Sequence, residues 1–290
     1  MEEIKQSLKI IVANYQLSDE FNRCLNDVLD QHEGGDFSDL GKLHFQMNGG
    51  TLTKSIQEAF NLLELWILFT DIVDDIEDGD ESKWGIDGNI LLNASTALVS
   101  IVLLELEKLD IPYKSEVTRL FCHYLLQAVD GQHHDLMNLI TSEEMYIDVV
   151  KKKSGSLIAL SSTLGAVLAT GKYTSKLEMS AHYIAIVAQL KNDYNDLFHL
   201  QRDLQVKKRT LPILYLLQFD DSALDELRLY YRQQGNETTT TKISITEQQI
   251  IDSGLHVYVH LMQSKYLNLA LDLLQEIYPA KDVSIFKQYI

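Results

Sequence analysis

Residues 62–81 read LLELWILFTDIVDDIEDGDE, and the fold turns on how this stretch is placed. Its first half is almost wholly apolar and its second half almost wholly acidic. Ile56, Ala59, Phe60, Leu63, Trp66, Ile67 and Thr70 recur at three- and four-residue spacing, which predicts a long helix from about Thr53 to Ile76. Carried on, that helix puts Asp71, Asp74, Asp75 and Asp78 on one face. Like charges at such spacing repel, and the macrodipole disfavours anions at a helix C-terminus. Local stability therefore does not explain the arrangement. A hard divalent cation does, because Mg²⁺ takes carboxylate oxygens and water and bridges to substrate phosphate.

The same periodicity runs outward from this stretch. It predicts helices over Gly88–Lys108, Lys114–Leu139, Glu143–Lys153, Ser156–Thr170, Ser175–Leu200, Thr210–Gln218, Ala223–Gln233 and Glu247–Ile277. Breaks fall at Gly34-Gly35, Gly49-Gly50, Gly79, Gly85, Pro112, Gly131, Gly171 and Pro279. No series of alternating strands is present, so the fold class is all-α, with ten or more helices in one domain over residues 1–290. The polar run GNETTTTK, within which residues 235–242 fall, reads as a flexible surface loop.

Composition excludes several functions. The chain carries 25 Lys+Arg against 42 Asp+Glu, a net charge of −17, which argues against phosphate-gripping nucleic-acid binding. Two cysteines, Cys24 and Cys122, read as buried free thiols. The N-terminus lacks a secretory pattern and no uninterrupted apolar run reaches the ~20 residues of a bilayer span, so a soluble cytoplasmic protein is expected.

A second acid group closes another apolar helix: Gln189, Asn192, Asp193 and Asp196 in QLKNDYND. Basic runs stand nearby in sequence, Lys151-Lys152-Lys153 and Lys207-Lys208-Arg209. Two carboxylate faces with lysines between them suit a metal-bridged diphosphate. His133 and His134 beside Asp135 lack a third ligand at zinc spacing and read as packing residues.

These residues resemble the trans-isoprenyl diphosphate synthases. Asp74-Asp75-Ile76-Glu77-Asp78 is similar to their DDxxD, with Glu64 matching a glutamate on the same helix. Residues 189–196 resemble QxxDDxxD with Asn192 in place of the first aspartate, and 203–212 resemble DLxxGKxTLP with Lys207 in place of glycine. Gly131-Gln132-His133-His134-Asp135-Leu136 resembles GQxxDL, and the helix from Lys153-Ser154 to Gly165-Ala166 resembles one that starts KT and ends GA. The resemblance implies a helical bundle around a central cavity. It also implies two or three Mg²⁺ ions held by Asp71, Asp74, Asp75, Asp78, Asn192, Asp193 and Asp196, and a diphosphate gripped by Lys153, Lys208 and Gln189.

The departures are as specific as the matches. Where the synthases carry an arginine pair after DDxxD, this chain has Ser82-Lys83-Trp84-Gly85. Their GGKxxRP, which holds isopentenyl diphosphate, has its best counterpart in Leu40-Gly41-Lys42-Leu43-His44-Phe45. A metal-bound donor site is kept and much of the acceptor's diphosphate grip is lost. This pattern looks like the ComQ-type branch, which attaches an isoprenyl group to a tryptophan of a quorum-sensing pheromone precursor. The resemblance implies a geranyl or farnesyl diphosphate donor, a tryptophan-containing precursor peptide as acceptor, and, as in related synthases, a homodimer to which the chain beyond Asp220 could contribute. Two other readings stand beside it: a short-chain prenyl diphosphate synthase with degraded arginine motifs, and an acidic helical binding protein without turnover.

Donor length follows from helix rise. Thr70 and Trp66 lie one and two turns before Asp74, at about 6 and 12 Å, with Phe69 beside Thr70. The bulk of Trp66 and Phe69 is expected to close the groove after two or three isoprene units.

Overall fold

The decisive stretch forms α4 (Lys54–Asp78), whose start and stop are both written locally. The Thr53 side chain accepts from the Ile56 N–H, and Gly79, at φ 76°, ends the helix in the left-handed conformation that glycine tolerates. The structure is a computed structural model that describes residues 2–232 and 243–289, and among these there is no strand. The loop expected at 235–242 lies outside the described residues.

Three helices precede α4: α1 (Glu2–Ala13), α2 (Asp19–Gln31) and α3 (Asp36–Met47). Their signals are local. Ser18 caps α2 by accepting from the Phe21 N–H, ahead of Asp19 and Glu20; Asp36 and Asp39 open α3 behind Gly34-Gly35. After α4 come α5 (Gly88–Lys108), α6 (Lys114–Leu136), α7 (Glu143–Lys152), α8 (Ser154–Thr170) and α9 (Ser175–Asn195). The remainder is α10 (Arg202–Gln205), α11 (Leu211–Gln218), α12 (Asp225–Arg232), α13 (Glu247–Asp252) and α14 (Leu255–Ile277).

Two expected helices are interrupted. The run to Leu200 leaves α geometry after Asn195 and continues as a π turn, Asp196–Leu200. The run from Glu247 to Ile277 is split at Gly254, φ 72°.

Helices α4 and α8 form the centre. From Leu62 to Leu68 every residue of α4 is buried, and α8 packs against α3, α4, α6 and α9. Glycines set the closest approaches. A Cβ on Gly165 of α8 would stand 2.1 Å from the Gly41 carbonyl of α3. One on Gly131 of α6 would stand 2.3 Å from the backbone N of Lys153, at the α7–α8 junction. That second contact brings the end of α6 against Lys153, and so helps build the site.

Two expectations are corrected here. Cys24 and Cys122 are free, but Cys122 is exposed and Cys24 half-buried. As a helix, α5 is long and apolar enough to cross a membrane by length and composition, because its Asn, Ser and Thr residues interrupt the apolar runs without adding charge. In this fold α5 lies along α4, with Leu91, Leu98, Val102 and Leu106 buried.

Candidate active site

The acid end of α4 meets two lysines from distant parts of the chain. Lys153 Nζ lies 3.0 Å from Asp74 Oδ1 and 3.0 Å from Asp135 Oδ2, with Asp78 Oδ2 at 3.9 Å. Lys208 Nζ lies 3.1 Å from the same Asp135 oxygen and 4.0 Å from Asp78 Oδ2. Burial works against the charge on both lysines, but the carboxylates outweigh it, led by Asp135, and hold both ammonium groups above their usual range. For Asp135 burial likewise raises the carboxyl, and the two lysines more than reverse it. Asp74 is carried above the carboxylate range by burial, against the pull of Lys153.

The α9 side carries the second acid pair. Asp193 is buried: Tyr146 Oη donates to its Oδ2 at 2.6 Å and Gln189 Nε2 to its Oδ1 at 2.6 Å. Lost hydration pushes its carboxyl up to about 7, against those two hydrogen bonds. Asp196 receives the Asp203 N–H at 3.1 Å and Arg202 Nε at 3.2 Å. Arg202 also reaches Asp80 Oδ2 at 3.6 Å, so one guanidinium spans the ends of both acid helices. A small cavity of about 40 Å³ opens among Tyr146, Lys153, Gln189, Asp193, Lys208 and Asp135.

Several expected site residues stand elsewhere. Asp75 faces the loop after α4, where Trp84 Nε1 donates to it at 2.8 Å and Lys83 Nζ lies at 2.7 Å. The positions that carry arginines in the synthases are therefore turned onto an acid of the first motif. Asp71 reaches solvent but is enclosed by protein on most sides; lost hydration, then Asp75 and Asp74, bring its carboxyl to about 6 despite the pull of His32. Asn192 is exposed on α9, away from the Gln189–Asp193 line. Lys42 pairs with Asp39 on its own helix.

His44 does not join the site. It is buried, its Nδ1 lies 2.9 Å from Tyr278 Oη, and its ring centroid is 4.7 Å from that of Phe286. Burial drops its pKa to about 3, so it is a neutral core residue and no counterpart of a diphosphate-binding arginine. Gly41 packs on Phe60 of α4, and Gly34 approaches the same helix: a Cβ there would stand 2.6 Å from Glu64 Oε2. Beside it His32 Nε2 lies 3.1 Å from Glu64 Oε2, and the Ser38 N–H donates to Glu64 Oε1 at 2.6 Å. Burial raises the Glu64 carboxyl, and these two partners outweigh it, so Glu64 is an anion pinning the α2–α3 turn.

Trp66 is fully buried, edge-on to Phe69 at 5.7 Å and to Phe121 at 5.2 Å, and its indole N–H has no partner. Phe69 and Thr70 are half-buried, with Thr70 Oγ1 turned back to the Ile67 carbonyl. Asp135, Tyr146 and Arg202 join the acid and lysine cluster without having been singled out from the sequence. Asp135 lay in the quoted GQxxDL stretch, whereas nothing local marks Tyr146 or Arg202.

The donor set fits a hard cation that arrives with its anion. Asp74, Asp78, Asp193 and Asp196 offer oxygens only, and Gln132 adds a buried Oε1 without a partner while its Nε2 donates to Asp78 at 3.3 Å. Among the described residues no three acid, His or Cys side chains are grouped closely enough to hold an ion by themselves. Mg²⁺ does not require such a cage, since one or two carboxylates plus phosphate and water complete its octahedron.

Fold and site together define an isoprenoid-synthase-type enzyme. The pattern of the polyprenyl synthetase family matches residues 40–248, and the chain belongs to that family. It is 34% identical to "Tryptophan prenyltransferase ComQ" of Bacillus spizizenii over 252 residues, 85% of this chain and 90% of that protein. It is 31% identical to the protein of the same name from Bacillus subtilis subsp. natto, over 94% of this chain and 85% of that one. Heptaprenyl diphosphate synthase from Staphylococcus aureus has the same fold, with a TM-score of 0.78 at 19% identity, covering 99% of this chain and 96% of that chain. A geranylgeranyl pyrophosphate synthase gives 0.77 at 21%, over 95% and 90%.

Proposed function

We propose that this chain transfers a geranyl or farnesyl group from its diphosphate to a tryptophan of a quorum-sensing pheromone precursor peptide. The observation that carries the donor half is the convergence of Lys153 and Lys208 on Asp135 beside Asp74 and Asp78. The acceptor half is supported by α3, where His44, at the position of the arginine that would hold isopentenyl diphosphate, is a neutral core residue against Tyr278 and Lys42 pairs with Asp39. The curated relatives named for tryptophan prenyl transfer point the same way.

Asp74, Asp78, Asp193 and Asp196 would hold Mg²⁺, with Asp71 beside them. The chemistry the metal would supply there is charge neutralisation that makes the diphosphate a leaving group. Lys153 and Lys208 turn from Asp135 toward the phosphate oxygens and stabilise the negative charge that grows as the C1–O bond breaks. Gln189 holds Asp193 in place and favours its ionised form, against the larger effect of burial. The buried aromatics of α4 keep water from the allylic cation, which the indole C3 of the acceptor tryptophan captures; a backbone nitrogen of the peptide then closes onto C2 and releases its proton. The protein acts in the cytosol as one domain and as a homodimer.

The test is incubation with Mg²⁺ and labelled geranyl or farnesyl diphosphate, offering either isopentenyl diphosphate or a tryptophan-containing peptide. Label is expected in the peptide. Chain elongation without peptide labelling, or no turnover with either acceptor, would overturn the reading.

A further inference from the structure

We infer that Arg202 is a diphosphate-binding residue, presented at the mouth of the site by a strained turn built for that purpose. The inference rests on the donor half of the proposed function, an isoprenyl diphosphate lodged between the two acid motifs.

Arg202 lies where the anion would enter. Its Nε is 3.2 Å from Asp196 Oδ1 at the end of α9, and its Nη1 is 3.6 Å from Asp80 Oδ2 just past α4. Its side chain is 66% exposed, so it is free to swing. No other arginine among the described residues makes an ion pair with either acid motif. The cations already assigned are both lysines, compact point charges deep in the cleft. A guanidinium adds a planar fork that can bind two phosphate oxygens at once.

The backbone before Arg202 explains how it comes to face inward. Helix α9 loosens into the π turn Asp196–Leu200, and Gln201 then takes a left-handed conformation at φ 53°. A non-glycine residue there costs about 1 kcal/mol or more and persists only where its surroundings fix it. Three hydrogen bonds do so. The Gln201 N–H returns to the Asp196 carbonyl at 2.5 Å. Its side-chain amide donates to the Ile245 carbonyl at 2.6 Å and accepts the Ile245 N–H at 3.2 Å. The turn reverses the chain so that the next residue, Arg202, folds back over Asp196. An exposed arginine needs no such device merely to meet solvent.

In the resting arrangement Asp196 and Asp80 hold the fork. With Asp196 as a metal ligand the fork would give up that contact, keep Asp80 and be open to the diphosphate. Arg202 thereby fills the place left by the missing arginine pair, from the opposite wall of the site.

The experiment uses the full chain with Arg202→Ala and Arg202→Lys. Calorimetry measures binding of inorganic pyrophosphate with Mg²⁺, and steady-state assays measure KM for the donor and for the peptide. Circular dichroism confirms folding. We expect Arg202→Ala to weaken pyrophosphate binding and raise donor KM in parallel by about tenfold or more, as one charge-assisted contact is lost. The peptide KM should not move, and Arg202→Lys should restore part of the loss. A folded Arg202→Ala protein that binds pyrophosphate as the parent does would overturn the inference and leave the proposed function standing. A parent protein that binds no pyrophosphate with Mg²⁺ would overturn both. Weaker pyrophosphate binding in the variant, with no peptide transfer by the parent, would support Arg202 and reject the acceptor.

Discussion

Asp193 shows how much one buried carboxyl decides. Its carboxyl is pushed up to about 7, first by lost hydration. An acid whose folded-state pKa is raised binds its proton more tightly folded than unfolded, so its stabilising share is full at low pH. That share is lost as pH rises from the unfolded value near 4 through about 7. Asp193→Asn, measured without metal, should therefore melt higher than the parent at pH 8, by an amount worth about 4 kcal/mol, and the difference should shrink through pH 5 and vanish below about pH 4. Equal melting points at pH 8 would contradict the burial argument. Transfer by Asp74→Asn and by Asp196→Asn should fall about 10³-fold with helical content unchanged; full activity in either would remove that residue from the metal set. The spacing of acids three and four apart made Asp74, Asp78, Asp193 and Asp196 legible in the sequence. Spacing could not choose between Asn192 and Asp193, both within a turn of Asp196. That choice belongs to Tyr146, 47 residues away, and to Gln189.

Among the elements, α6 and α8 owe their register to a missing side chain. A Cβ on Gly131 would meet the backbone N of Lys153 at 2.3 Å, where no flexible tip can yield. Gly131→Ala should cost about 1–3 kcal/mol by overpacking and, by moving Lys153 off Asp74 and Asp135, raise donor KM; an unchanged KM would separate Lys153 from the diphosphate. The α4 floor divides similarly. Trp66 is sealed in the core, so Trp66→Ala should mainly destabilise, by about 3–5 kcal/mol. Phe69 is only half-buried, and Phe69→Ala is the substitution expected to lengthen the preferred donor by one isoprene unit in a competition assay. Periodicity made α4 to α9 legible to within a few residues. It gave no hint that Lys207, standing where the synthases have glycine, would take a left-handed backbone at φ 56°, a conformation glycine adopts most readily. Nor could it put His44 against Tyr278, 234 residues on, a contact that exists only once α3 and the chain's end are packed together.

For the whole molecule, the net charge of −17 limits where two copies can meet. Acidic surfaces repel, so a homodimer needs a region without charge. Helix α5 supplies one: from Gly88 to Leu104 it carries no ionisable residue, yet Ile90, Leu92, Leu103 and Leu104 are each 40% exposed or more. Leu126 and Val129 of α6, which packs against α5, are exposed as well. We propose the α5–α6 side as the surface of such a homodimer, beside the expectation for the chain beyond Asp220. If two copies meet there, the parent is expected to sediment as a dimer and Leu104→Glu and Leu126→Glu each as a folded monomer. Because the remaining surfaces repel, the parent dimer should also tighten as salt rises and the Debye length falls to about 8 Å near physiological ionic strength. Dissociation promoted by salt would mean that ion pairs hold the interface, and a parent monomeric at micromolar concentration would leave the apolar face of α5 for some other partner.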